Sequence, residues 1–106
     1  MKSLIDLAGA SGASYRYRLA EGDEPKTPMA GNYAYVRATT KGPRVLLVGE
    51  TTNLSSGAKA RWAEAKKKGA THLFYRLNVA GSTRAHELDD LLQALEPPMN
   101  GEAEGE

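Results

Sequence analysis

The chain has 106 residues, 41% hydrophobic and 25% charged, with a net charge of +1. That is the length of one domain with a modest core, and no apolar run is long enough to span a membrane. The absence of cysteine excludes disulfides, thiolate metal sites and a cysteine nucleophile, and makes a cytoplasmic location the default expectation.

The first thirteen residues hold Leu4, Ile5, Leu7 and Ala8, enough for one turn or one short strand, before the break at Gly9 to Gly12. Ser14 to Leu19 alternates Tyr15, Tyr17 and Leu19 against Arg16 and Arg18. This is the period of a half-buried strand, expected at a sheet edge where the arginines meet solvent. Glu21 to Pro28 carries Gly22, Pro25 and Pro28 and reads as a loop. Asn32 to Thr39, rich in tyrosine and valine, is a second strand; Thr40 to Pro43 is turn chemistry; Arg44 to Val48 is a third strand, antiparallel to the second.

Gly49 is expected to end that strand and open a corner. Thr51, Thr52 and Asn53 each offer an oxygen to the N–H groups of a following helix. Unpaired N–H groups and a positive dipole end at such a corner suit an anion. The helix is predicted from about Leu54 to Lys68, with Leu54, Ala58, Trp62 and Ala65 on one stripe, Arg61 in the same sector, and Lys66-Lys67-Lys68-Gly69 as its C-terminal signature. Thr71 to Val79 is a fourth strand. A second helix, capped by Ser82 or Thr83, runs to about Leu95 with Ala85, Leu88, Leu91, Leu92 and Leu95 as its apolar face and Glu87 on the shoulder. Pro97-Pro98 stops it. The order β, β, β, α, β, α predicts an α/β (α+β) layer fold: a small mixed, mainly antiparallel sheet flanked by helices.

Charge is unevenly placed. The last six residues carry three acids and no base, and disorder is expected there. Between Ser55 and Arg76 six bases face one acid, Glu64. Such a patch suits a phosphate backbone or is simply a solvated helix face.

Four pieces in order resemble the GIY-YIG nuclease superfamily over residues 31–100. Gly31-Asn32-Tyr33 stands for the first signature triplet and Leu47-Val48-Gly49 for the second, without its tyrosine. Gly49-x-Thr51-x-Asn53-Leu54 continues it. Glu87, Asp90-Leu91-Leu92 and Pro97-Pro98-Met99-Asn100 look like the closing helix and its ending. The resemblance implies a β-β-α-β-α core after an N-terminal extension at 1–30, with an acidic tail at 101–106. It also implies metal-dependent phosphodiester hydrolysis, with Mg²⁺ or Mn²⁺ held by Glu87, phosphate charge steadied by arginine, a tyrosine (Tyr33, with Tyr35 on the same strand face standing in for the second tyrosine missing at Leu47) activating water or substrate, and Asn100 bracing the site. The helix arginine of the family falls on Gly57; Arg61, one turn later, is its substitute, with Lys59 a poorer one.

Two signature positions, Leu47 and Gly57, are therefore empty. The expectation is a nucleic-acid-binding domain with weakened or lost catalysis, binding DNA rather than RNA through Thr51, Asn53, Lys59, Lys66, Lys67 and Lys68. An active divalent-metal endonuclease and a protein-interaction adaptor on the same fold are the alternatives. A serine nucleophile at Ser55-Ser56 has no partner base.

Overall fold

The computed structural model describes residues 1–101, so the acidic tail expected at 101–106 lies outside the described residues from position 102 on. Five strands form one sheet: β1 (Leu4–Ala8), β2 (Ser14–Leu19), β3 (Gly31–Thr39), β4 (Gly42–Thr51) and β5 (His72–Leu77). Their order across the sheet is β1-β2-β5-β3-β4, and every pairing is antiparallel. Three helices accompany it: α1 (Leu54–Gly57), α2 (Trp62–Lys67) and α3 (Gly81–Leu95). The fold is α+β. Among the described residues no helix is long and apolar enough to cross a membrane.

Strand alternation sorts the core into two layers. Tyr35, Leu47 and Leu73 face α1 and α2 and pack with Leu54, Ala58, Trp62 and Ala65. Ala34, Val48 and Phe74 face α3 and pack with Leu7, Tyr15, Tyr17 and Leu91. A bulge at Tyr35/Val36 admits Leu46 as an extra residue of β4, and Leu46 joins Leu47 in the first layer. The sheet curls so far that both edge strands line one cleft of about 400 Å³, with Leu7 on one wall, Val45 on the other and Leu95 of α3 between.

Several expectations are corrected. β2 is not an edge strand: β5 pairs along its other side, and β1 takes the edge. The N-terminal extension is thus stitched into the same sheet as the 31–100 core. β4 does not stop at Gly49 but pairs on to Thr51 opposite Gly31.

The helix from Leu54 to Lys68 is two short helices with turns between them. Tyr35 causes the break. Its hydroxyl donates to the Ala58 carbonyl (2.8 Å) and accepts from the Arg61 N–H (3.0 Å), two groups that a continuous helix would bond to Trp62 and Gly57. The chain closes the gap with tighter bonds, Ala60 N–H to Gly57 and Trp62 N–H to Lys59.

Finally, α3 begins at Gly81 after Ala80, and neither Ser82 nor Thr83 caps it. Ala85 is exposed; Arg84, Glu87 and Asp90 are buried beside Leu91.

Candidate nucleic-acid interface

The two triplets that resemble the nuclease signature lie opposite each other. Gly31 pairs with Thr51, Asn32 with Glu50 and Tyr33 with Gly49. The half-buried Tyr33 ring lies across Gly49, where an added Cβ would come within 2.4 Å of the ring carbon bearing the hydroxyl. On its other side Tyr33 faces Tyr75 of β5. Tyr35 stacks at a tilt on Tyr33 (5.6 Å) and on Trp62 (5.3 Å). Asn100 closes the far edge: its Oδ1 accepts from the Val48 N–H and its Nδ2 donates to the Val48 carbonyl.

Two of the arginine and tyrosine candidates are engaged in holding the fold. Both hydrogen-bonding capacities of the Tyr35 hydroxyl are taken up at the helix break, and burial pushes its pKa up to about 12. Arg61 forks onto the Glu64 carboxylate through Nε (3.0 Å) and Nη2 (2.9 Å), and its Nη1 donates to the Met99 carbonyl (3.1 Å). The Arg61 hydrogen bonds hold the Glu64 carboxyl below its ordinary range. Arg61 therefore ties α2 to the C-terminal segment. Gly57 is closed to any larger residue, since a Cβ there would meet Thr51 Oγ1 at 2.0 Å. Leu47 is buried among apolar neighbours.

Glu87 is not beside Tyr33. It reaches the opposite face of the sheet, the face of Tyr15, Tyr17 and Phe74. There its Oε1 accepts from Arg76 Nε at 2.8 Å, while the Arg76 guanidinium stacks over the Tyr15 ring. The reason is the spacing of α3, whose i, i+3 positions Arg84, Glu87 and Asp90 all turn toward the sheet. Arg84 Nη1 donates to the carbonyls of Asn78 and Val79, and the Arg84 carbonyl accepts from buried Asn32. Asp90 accepts from Ser11 N–H, Ser11 Oγ and the Tyr15 hydroxyl. These bonds, the Ser11 hydroxyl first, hold its carboxyl below the usual carboxylate range.

A divalent ion does not fit at Glu87. It would compete with a guanidinium for the carboxylate, and among the described residues no three His, Asp or Glu side chains gather.

The anion corner is also closed. Asn53 caps α1, its Oδ1 accepting from Ser56 N–H and Ser55 Oγ, and Thr51 Oγ1 bonds the Asn53 backbone. The Leu54 and Ser55 N–H groups donate to the carbonyls of Met29 and Thr27. Of the basic patch, Lys59 pairs with Glu24 (3.1 Å) and Lys68 lies 3.9 Å from Glu64. Lys66 sits over the Trp62 ring (5.9 Å). Among the described residues Lys66 and Lys67 have no acidic partner, and both are exposed.

Arg18 and Tyr75 belong to none of the motifs above. They pair across β2 and β5, so that Arg18, Tyr75, Tyr33 and Gly49 form one row on the face of the sheet that α1 and α2 cover only in part. The alternation of Arg16 and Arg18 with buried tyrosines was the available signal. Comparison with protein-family models, with characterised proteins and with solved structures finds no match to this chain.

Proposed function

We propose that this chain is a nucleic-acid-binding domain on a GIY-YIG-like scaffold whose hydrolytic machinery has been dismantled. One observation carries the reading: Tyr33 and Glu87, the two groups that hydrolysis would bring together, are on opposite faces of the sheet, with Glu87 paired to Arg76. The opposed triplets and the Asn100 clasp on Val48 accord with the scaffold. The binding face is the Tyr33 side, where exposed Lys66 and Lys67 add charge that no acid among the described residues pairs with. DNA is the expected partner.

Fluorescence anisotropy with labelled single- and double-stranded DNA tests this. Affinity falls steeply as salt rises, and the Lys66→Glu/Lys67→Glu double variant binds at least severalfold more weakly. No affinity at low salt overturns the reading in favour of a protein partner. Cleavage of the same DNA with Mg²⁺ or Mn²⁺, abolished by Glu87→Gln, restores an active endonuclease.

A further inference from the structure

The N-terminal hairpin, which lies outside the stretch resembling the nuclease family, builds a cleft of its own. Beyond the Arg18–Tyr75 pair, β2 and β5 part, and a depression of about 430 Å³ opens on their seam. Leu4, Arg16, Arg18, Tyr75, Arg76 and Leu77 line it. Resting on the nucleic-acid reading above, we infer that this cleft takes single-stranded nucleic acid: Arg18 holds a phosphate, Tyr75 stacks the adjoining base, and Tyr33, outside the cleft and next to Tyr75 across the sheet, stacks the following one.

The charges decide which arginine does this. Arg16 is forked onto Asp6. Arg76 is held by Glu87 and by the Arg16 carbonyl. Arg18 is exposed, and among the described residues its side chain has neither an acidic nor a hydrogen-bonding partner. A planar guanidinium in that position is suited to a phosphate oxygen pair. Arg18 and Tyr75 also border a second depression that holds Glu21, Glu24 and Lys26; Glu24 is paired there with Lys59 and Lys26, and the strand keeps to the side without acids, over Leu4 and Leu77.

The floor decides for a single strand. Leu4 and Leu77, 44% and 49% exposed, put apolar surface into the same cleft as the arginines. The half-buried ring of Tyr75 lies between Arg18 and Tyr33, one strand spacing from each, so the row from cation to second ring spans about 10 Å. A duplex hides its base faces and gains nothing from such a floor. An unstacked strand offers both its phosphates and its bases to a sheet carrying aromatics.

The test uses the full chain and two labelled probes, a single-stranded DNA oligonucleotide and a blunt duplex of the same length. Arg18→Glu and Tyr75→Ala each weaken single-strand binding by about tenfold or more, Tyr75→Phe restores it, and duplex binding changes much less. Thermal melts of each variant check folding, and Arg18→Glu, at an exposed position, melts like the parent. Single-strand binding that survives Arg18→Glu but is lost in Lys66→Glu/Lys67→Glu overturns the cleft and leaves the nucleic-acid reading standing. Equal loss on both probes overturns the single-strand assignment, and no binding of either probe by the parent overturns both.

Discussion

The Asn100 side chain grips both backbone polar groups of Val48, accepting from its N–H at 2.9 Å and donating to its carbonyl at 2.8 Å. β4 is an edge strand, and this amide supplies the pairing that a sixth strand would give. Together with the Met99 N–H bond to Leu46, it seals the middle of that edge. Asn100→Ala removes two hydrogen bonds and is expected to cost about 1–2 kcal/mol in urea denaturation. The reopened edge should also raise self-association, visible as concentration-dependent elution in size-exclusion chromatography. Asn100→Asp, which keeps the acceptor and loses the donor, should fall between.

Gly57 stands where the nuclease resemblance calls for an arginine, and Thr51 fills the space such a side chain would need. Gly57→Ala, which should gain helix propensity, is instead expected to destabilise by about 1–3 kcal/mol through overpacking. Thr51→Gly in the same chain should recover most of that loss. Gly57→Arg should yield no nuclease activity with Mg²⁺ or Mn²⁺, because Glu87 stays across the sheet with Arg76. Cleavage by Gly57→Arg would show that hydrolysis does not require Glu87 on the Tyr33 face of the sheet.

What the sequence disclosed and what it hid follow from the range of the interactions. The strands were legible because Tyr15-x-Tyr17, Tyr33-x-Tyr35 and Leu73-x-Tyr75 carry their own period. A cap within Thr51-Thr52-Asn53 was legible because capping acts within one turn, though only the structure singles out Asn53. The broken helix was not, since the hydroxyl that breaks it comes from Tyr35 on another element. The buried polar side of α3 was hidden for the same reason. Arg84, Glu87 and Asp90 resemble solvated helix residues until Asn78, Arg76 and Tyr15 arrive from distant strands to pair with them. The site followed the same rule: the row Arg18–Tyr75–Tyr33 exists only because β5 inserts between β2 and β3.

Asp90 joins α3 to the β1–β2 turn through Ser11 and Tyr15. Its folded-state pKa is lowered from 3.8, chiefly by the Ser11 and Tyr15 hydrogen bonds. The sign follows: above the unfolded-state value the ionised carboxylate contributes its full stabilisation, which is lost as pH falls through the lower folded-state value. Urea midpoints measured from neutral pH downward should therefore drop in the parent below about pH 4. Asp90→Asn should start lower at neutral pH and show a shallower acid limb. An unchanged acid limb would remove Asp90 as its source.

Two buried tyrosines separate what a hydroxyl contributes when it is partnered from what it costs when it is not. The Tyr35 hydroxyl bridges Ala58 and Arg61 across the α1–α2 break, whereas the fully buried Tyr17 hydroxyl has no hydrogen-bond partner among the described residues. Tyr35→Phe strands a buried carbonyl and an N–H and is expected to cost about 1–3 kcal/mol at neutral pH; Tyr17→Phe removes an unpaired polar atom and should be neutral or stabilising. Both phenols have pKa values raised chiefly by burial, Tyr35 from 10.0 to about 12 and Tyr17 likewise upward. A raised phenol stabilises the fold below the unfolded value and loses that contribution as pH rises through the folded one. The parent should thus weaken between pH 10.0 and about 12, and each Phe variant should weaken less over that window. If Tyr17→Phe were as damaging at neutral pH as Tyr35→Phe, the Tyr17 hydroxyl would have to be bonded, with buried water as the candidate partner.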